Sequence, residues 1–166
     1  MPKRQRQFDK RISNLGIIDS QLHYGVWSRV WWEEVDIELE TGTKHFIIPY
    51  RLYMRIECDI NSKTFIITVL TDVQNSLKPG FQYICDEVKS NFESSLSKAI
   101  NICYQQIFKT KTEYSGLAVI GFDSENIIQQ LIADVIFFPI FLRIDNKFNV
   151  VISNIGDLDE NRFYGV

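Results

Sequence analysis

Apolar and polar residues alternate strictly through much of the first half of the chain. Over residues 34–40 each apolar side chain is flanked by acidic ones, which predicts a half-buried strand with an acidic outer face. Alternation resumes over His45–Ile60, and Asn61-Ser62 predicts a tight turn into a further strand at Thr64–Thr71. This half of the chain is therefore expected to form antiparallel strands.

The second half of the chain changes to the period of a helix. Apolar residues fall at helical spacing over Phe81–Phe92, which predicts a first helix. Ser94 or Ser95 can cap a second helix, and Asp123 or Ser124 can cap a third, because a short polar side chain satisfies the free amides of a first turn.

The remaining apolar runs are short and predict strands. Leu117–Phe122 is expected to be a strand that follows a turn, while Ile136–Ile144 and Phe148–Ser153 bracket a three-residue loop. Strands and helices are segregated along the chain, which favours the α+β class. We predict an antiparallel sheet with two to three helices packed on one face and a C-terminal β-hairpin.

Charge separates the N-terminal segment from the rest of the chain. The 166 residues carry a net charge of −3, but the first eleven hold five basic residues and one acidic residue, a net charge of +4, so the remainder carries −7. We therefore expect a basic flexible tail at 1–11, a single α+β domain at 12–153 and a loose C-terminal tail at 154–166. An acidic domain repels phosphate, so nucleic acid is expected to contact the tail alone. The candidate residues for anionic contact or nuclear import are Lys3, Arg4, Arg6, Lys10 and Arg11.

Cysteines and histidines are few and scattered. No Cys-x-x-Cys or His-x-x-x-His spacing and no glycine-rich phosphate loop occurs, so neither a metal nor a cofactor is expected. The basic start is not followed by an apolar leader segment, and no apolar run approaches the about 20 residues that cross a bilayer, which predicts an intracellular protein with reduced thiols and no membrane contact. An alternative is a small enzyme with an unrecognised site formed by Cys58, Cys85 or Cys103 with His23 or His45.

Three tryptophans lie within six positions, at Trp27, Trp31 and Trp32. In an extended segment Trp31 and Trp32 face opposite sides, so exposure of one of them is expected. Exposed aromatic side chains are enriched where proteins bind each other. These three residues are therefore the predicted partner-binding site; the alternative is that another element covers all of them.

Two stretches resemble a pair of motifs that occur together. The strings FIIPYRLYMRIECDI (46–60) and FIITV (65–69) are similar to the Phe/Tyr-rich N-terminal (FYRN) motif, and Ser95–Phe138 resembles the companion C-terminal (FYRC) motif. The positions that carry the second resemblance are Ser95, Ala99, Ile107, Phe108, Ser115, Gly116, Gly121, Phe122 and the apolar positions of 127–132. The pattern from Ser95 to Gly116 is also similar to an expanded set of fungal proteins, which implies no function.

The resemblance to the FYR family implies one α+β module that is found in chromatin-associated proteins and has no catalytic activity of its own. It therefore predicts a non-catalytic intracellular protein-interaction module that acts in the nucleus and binds a protein partner. The alternatives from the residues themselves are the small enzyme and nucleic-acid contact through the basic tail.

Overall fold

The structure, a computed structural model, describes residues 8–144 and 148–152, with side chains from 8 to 139. It is a mixed α+β fold, as predicted, with antiparallel sheets and four α-helices in the described part of the chain. The strands are β1 Asp9–Asn14, β2 Trp32–Leu39, β3 Gly42–Pro49, β4 Arg55–Ile60, β5 Lys63–Thr71, β6 Pro79–Cys85, β7 Val88–Lys89, β8 Ile140–Ile144 and β9 Phe148–Ile152. The helices are α1 Ser20–His23, α2 Leu96–Phe108, α3 Gly116–Ile120 and α4 Glu125–Ile132, with a 3-10 turn at Ser28–Trp31.

A five-stranded antiparallel sheet in the order β1-β4-β5-β6-β7 forms the largest layer. The predicted tight turn between β4 and β5 is confirmed: Asn61 and Ser62 both have a left-handed backbone, with φ of +50° and +66°. Two successive positive φ angles give a turn whose twist matches that of the flanking strands.

The acidic strand predicted at 34–40 is confirmed as β2, which pairs with β3 in a separate two-stranded sheet. Val35, Ile37 and Leu39 are half-buried, while Glu34, Asp36 and Glu38 are exposed. The predicted continuous strand over His45–Ile60 is wrong, however. The chain leaves the small sheet after Pro49 and enters the large one only at β4.

Arg51 occupies the break between the two sheets and is buried. Its guanidinium forms two hydrogen bonds with the Asp134 carboxylate, at 2.7 and 3.0 Å, and donates to the carbonyl oxygens of Leu15, Gly16 and Leu131. These contacts employ all five guanidinium donors. Arg51 thus ties the segment after β1 and the end of α4 to the crossing point of the chain.

The two helices predicted to begin at serine or aspartate are confirmed, although only one of them has a side-chain cap. Helix α2 begins after Ser95, whose hydroxyl accepts from the Lys98 amide at 3.2 Å, and α4 begins after Ser124. The helix predicted over Phe81–Phe92 is wrong, because β5 offers a continuous pairing edge for β6 and the apolar residues alternate equally well there.

The strand predicted at Leu117–Phe122 is also wrong: this run contains helix α3. A Cβ atom at Gly116 would lie 2.7 Å from the Ser97 amide nitrogen, so glycine lets the start of α3 approach the first turn of α2. Tertiary packing against α2 decides the conformation of this short apolar run.

The predictions for the two ends of the chain can be compared with the structure only in part. Residues 9–11 are not part of a flexible tail, since they belong to β1, which pairs with β4. Strands β8 and β9 pair antiparallel, while the predicted loop at 145–147 and the predicted tail at 154–166 lie outside the described residues.

Candidate partner-binding surface

Two of the three predicted partner-binding tryptophans are buried, which contradicts that part of the prediction. Trp31 is 0% exposed and its indole N–H donates to the Leu77 carbonyl at 2.9 Å. Trp32 is 1% exposed and donates to the His23 carbonyl at 2.8 Å. The prediction failed because the segment is a 3-10 turn at this point, so neighbouring side chains are not forced to opposite faces.

Trp27 lies just before the 3-10 turn and is 53% exposed. Its neighbour Val26 is 90% exposed, and Leu77 from a distant loop is 43% exposed. These three side chains and those of Gln21 and Leu22 line a mainly apolar groove of about 460 Å³. We call it the Trp27 groove.

The loop that carries Leu77 is held by its own hydrogen bonds. The Asp72 carboxylate accepts from the Gln74 amide at 2.7 Å, and the Asn75 side chain accepts from the Leu77 amide at 3.1 Å. The Asp72 amide donates to the Lys78 carbonyl at 2.8 Å and closes the loop. Together with the hydrogen bond from the Trp31 indole, these contacts hold one wall of the Trp27 groove in place.

A second cavity, of about 690 Å³, is lined by Lys78, the residue that follows Leu77 of the groove. We call it the Lys78 cleft. Its lining residues are Arg29, Val30, Trp32, Glu33, Tyr50, Lys78, Pro79, Phe81, Ser94, Ser95, Leu96, Ser97 and Leu117. Its volume falls within the range of natural ligand sites, and polar and apolar residues contribute about equally to its lining.

Glu33 and Tyr50 form the polar pair of the Lys78 cleft. The Tyr50 hydroxyl donates to the Glu33 carboxylate at 2.8 Å. Burial, reinforced by the neighbouring carboxylate, raises the pKa of Tyr50 far above its usual value. The hydroxyl therefore stays protonated and occupies one oxygen of Glu33 as a hydrogen-bond donor.

The basic residues predicted for anionic contact fall into two groups. Lys10 and Arg11 lie on β1, where Lys10 pairs with Asp123 and Arg11 binds Glu57 at 2.6 Å and Asp59 at 2.9 Å. The hydrogen bond from Arg11 lowers the pKa of Asp59. Both cations are thus paired with carboxylates in the fold. Lys3, Arg4 and Arg6 lie outside the described residues.

The three thiols of the alternative enzyme hypothesis are all buried. Burial raises the pKa of Cys58 and of Cys103 to about 12 and also raises that of Cys85. A nucleophilic cysteine needs the opposite shift, because the thiolate is the reactive form. In this geometry the thiols act as small apolar side chains of the core.

The two histidines are engaged elsewhere. His23 is buried: its Nε2 lies 2.8 Å from the Tyr50 carbonyl and its Nδ1 accepts from the Asp19 amide at 3.0 Å, which fits the neutral form. Burial also lowers the pKa of His23. His45 is exposed and contacts Asp36 at 2.7 Å. No group of three metal-ligating residues occurs within the described part of the chain.

Comparison with protein-family models, curated proteins and solved structures finds no match to this chain. Among the described residues, no helix is both long and apolar enough to cross a bilayer. The groove and the cleft therefore provide the basis for assigning a function.

Sequence reasoning located Trp27 but missed Val26, Leu77 and Lys78. The signal for Leu77 is weak: it is an apolar residue in the turn-rich segment 72–79. It lies fifty positions from Trp27, so only the tertiary fold brings the two together.

Proposed function

We propose that this protein is a non-catalytic protein-interaction module whose contact surface is the Trp27 groove. The observation that carries the proposal is the exposure of Trp27 beside Val26 and Leu77 around one apolar depression. Clustered exposed apolar side chains mark interaction sites, and tryptophan is among the residues that contribute most binding free energy. The occupant is a protein segment that inserts an apolar side chain between Trp27 and Leu77.

The fixed loop at Leu77 supports this function because a rigid wall loses little conformational entropy on binding. Trp27 itself has only two rotatable side-chain bonds and presents a large rigid surface. A preformed groove with an aromatic anchor is the arrangement expected for recognition of an apolar segment.

Nuclear action and chromatin association form part of the same proposal. They rest on the resemblance to the FYR family, and ring contacts between the two matching stretches support it. Tyr50 stacks on Phe122 at 5.2 Å between ring centroids, and Phe65 contacts Tyr104 at 5.8 Å. Packing of this kind agrees with two separated motifs that form one module.

The same proposal includes helices on one face of the large sheet and a C-terminal β-hairpin. The register sets Ile56 opposite Ile67 and Ile67 opposite Tyr83, so these buried side chains share one face. Helix α2 contacts β6 and β7, and α3 contacts β4. The antiparallel pairing of β8 with β9 supports the hairpin.

The interaction can be tested with a photo-crosslinking amino acid at position 26 in cells. A discrete protein adduct is expected there, and none is expected when the crosslinker replaces Lys111, which follows the far end of α2. The captured protein is then purified and titrated by calorimetry against full-length chains. Trp27→Ala should weaken binding about thirtyfold, the effect of losing an interface anchor worth about 2 kcal/mol. Equal affinity of wild type and Trp27→Ala would refute the proposed surface.

Localisation is tested separately with the basic residues that precede β1. A fluorescent fusion of the full chain is expected to accumulate in nuclei, and replacing Lys3, Arg4 and Arg6 with alanine should reduce the nuclear-to-cytoplasmic ratio. Replacing Lys89 and Lys111 is the control. An unchanged ratio in the first variant would remove the import role.

A further inference from the structure

We propose that the edge of β2 that faces away from β3 binds an extended segment of a basic protein, with Lys or Arg at every second position opposite Glu34, Asp36 and Glu38. We call it the β2 edge. It goes beyond the proposed function, because none of these three residues lines the Trp27 groove. Among the described strands β2 pairs with β3 alone. A strand edge of this kind presents backbone groups to which an extended segment can add.

The register with β3 determines which backbone groups the β2 edge presents. The Tyr50 amide donates to the Trp31 carbonyl at 2.7 Å, and bonded pairs recur at every second residue of an antiparallel ladder. Alternate residues from 33 to 39 are therefore bonded to β3, while the N–H and C=O groups of the three acidic residues point away from it. The Trp32 carbonyl belongs to the same outward set, and it accepts from the Arg29 guanidinium at 3.0 Å, which agrees with this direction.

The residues with outward backbone groups also carry the acidic side chains. Glu34, Asp36 and Glu38 are exposed and share one face, because side chains alternate along a strand. Asp36 contacts His45 at 2.7 Å, while Glu34 and Glu38 have no ion pair in the part of the chain that the structure describes. Lys44, the other basic residue of β3, lies on the opposite face and pairs with a carboxylate of α4 at 3.3 Å. The two-stranded sheet thus leaves most of this negative charge unneutralised.

These charges favour a basic protein segment over other occupants of the β2 edge. A second copy of β2 would set acidic side chains opposite acidic ones, which is destabilising. Nucleic acid is repelled by the same carboxylates and by the net charge of −7 beyond residue 11. In an added antiparallel strand, directly opposed side chains have Cβ atoms about 4.5–5.5 Å apart, so cations at every second position meet all three carboxylates.

The probe for this site is a fluorescein-labelled synthetic peptide of about seven residues in which lysine alternates with threonine or valine. Its control has the same composition with the lysines in one run, so that they cannot all share one face of a strand. Binding to the full-length protein is measured by fluorescence polarisation at physiological salt. The alternating peptide should bind about fivefold tighter than the control, or more. Equal affinities would show attraction by charge alone and would overturn the proposed pairing.

Charge reversal on the protein tests the position of the site. Glu34→Lys combined with Glu38→Lys should weaken the alternating peptide about tenfold or more, and Glu87→Lys combined with Glu113→Lys less than about twofold. The second pair is a matched control, because both glutamates are exposed, lie outside β2 and β3, and change the net charge equally. Equal losses in the two double variants would mean that the net charge governs binding, and would overturn the β2 edge as the site.

Backbone pairing is tested on the wild-type protein, so the result does not depend on the folding of a variant. N-methylation of the lysine amides should weaken binding about tenfold or more, because these N–H groups face β2 in the proposed register. N-methylation of the intervening amides, which point away from β2, should change the affinity less than about twofold. Equal effects of the two modifications, or failure of the alternating peptide to bind, would overturn the proposal.

A last measurement separates the β2 edge from the Trp27 groove. Trp27→Ala should bind the alternating peptide with the affinity of the wild type, because the two surfaces share no residue. A loss of binding in this variant would place the peptide in the groove and overturn the β2 edge. The proposed function is tested by its own captured partner and does not depend on these results.

Discussion

Removing the hydroxyl of Tyr83 should stabilise the protein. Tyr83 lies on β6 with no exposed surface, and its hydroxyl has no hydrogen-bond partner among the described residues. Burial raises the pKa of this group well above its usual value. A buried hydroxyl without a partner costs about 1–3 kcal/mol, because the water that solvated it in the unfolded chain is not replaced.

Tyr83→Phe deletes one oxygen and leaves a void of roughly 10–15 Å³, which costs about 0.3 kcal/mol at roughly 24 cal/mol per Å³. The net expected gain is about 1 kcal/mol, or about 2–4 °C in the midpoint of thermal unfolding for a chain of this size. Urea denaturation followed by tryptophan fluorescence and thermal denaturation followed by circular dichroism measure both quantities.

Tyr104→Phe is the matched control for this prediction. Tyr104 is also buried, but its hydroxyl accepts a hydrogen bond from the Asn61 amide group at 2.6 Å. Loss of that bond should destabilise the protein by about 0.5–1.5 kcal/mol. If Tyr83→Phe destabilises it to the same extent, the hydroxyl of Tyr83 has a partner such as a buried water, and the reasoning fails.

Three further predictions concern the fold. Asp134→Asn removes the charge partner of buried Arg51 and should lower the free energy of unfolding by about 1–2 kcal/mol, less than for a fully buried pair because Asp134 is more than half exposed. Because Arg51 lowers the pKa of Asp134, this stabilisation is present above about pH 4 and is lost as the pH falls further. Acid denaturation of the variant should lack this part of the pH dependence. Gly16→Ala should cost about 2 kcal/mol or more in urea denaturation, because φ is +71° and the new Cβ would lie 2.5 Å from a backbone oxygen of the loop before β4. Burial raises the pKa of Cys58 and of Cys103 from about 9 in the unfolded chain to about 12. The free energy of unfolding from urea denaturation should therefore not depend on these thiols below pH 9 and should fall by up to about 1.4 kcal/mol per thiol for each pH unit above it. A smaller fall in Cys103→Ala would confirm the cause.

Sequence alone predicted the elements whose signals are local. Ser95 marks a helix start because its hydroxyl needs only a neighbouring backbone amide, and Ser124 occupies the N-cap position of α4 without a side-chain hydrogen bond. Asn61-Ser62 forms its turn between two adjacent strands. The helix predicted over Phe81–Phe92 is wrong because the apolar residues there fit both the helical and the strand period. The choice between helix and strand there depends on β5, a partner that local pattern does not include.

The residues of the candidate site also differ in whether local sequence signals reveal them. The concentration of tryptophans indicated the region that holds the Trp27 groove, but the exposure of each tryptophan depends on a 3-10 turn that the alternation argument did not include. Leu77 and Lys78 were beyond prediction because their loop is brought to Trp27 by the pairing of β5 with β6. The cluster is therefore a property of the tertiary fold.

The two buried tryptophans hold the walls of the groove that the exposed Trp27 lines. The Trp31 indole donates a hydrogen bond to the Leu77 carbonyl and thereby fixes the loop that carries Leu77. The Trp32 indole donates to the His23 carbonyl and fixes the end of α1. Trp31 and Trp32, which lie four and five positions after Trp27, thus bond both walls of the Trp27 groove to the core. The indole N–H groups of Trp31 and Trp32 both have hydrogen-bond acceptors inside the fold. The apolar surface that Trp27 exposes is therefore held in one geometry, which lowers the entropic cost of the partner binding proposed above.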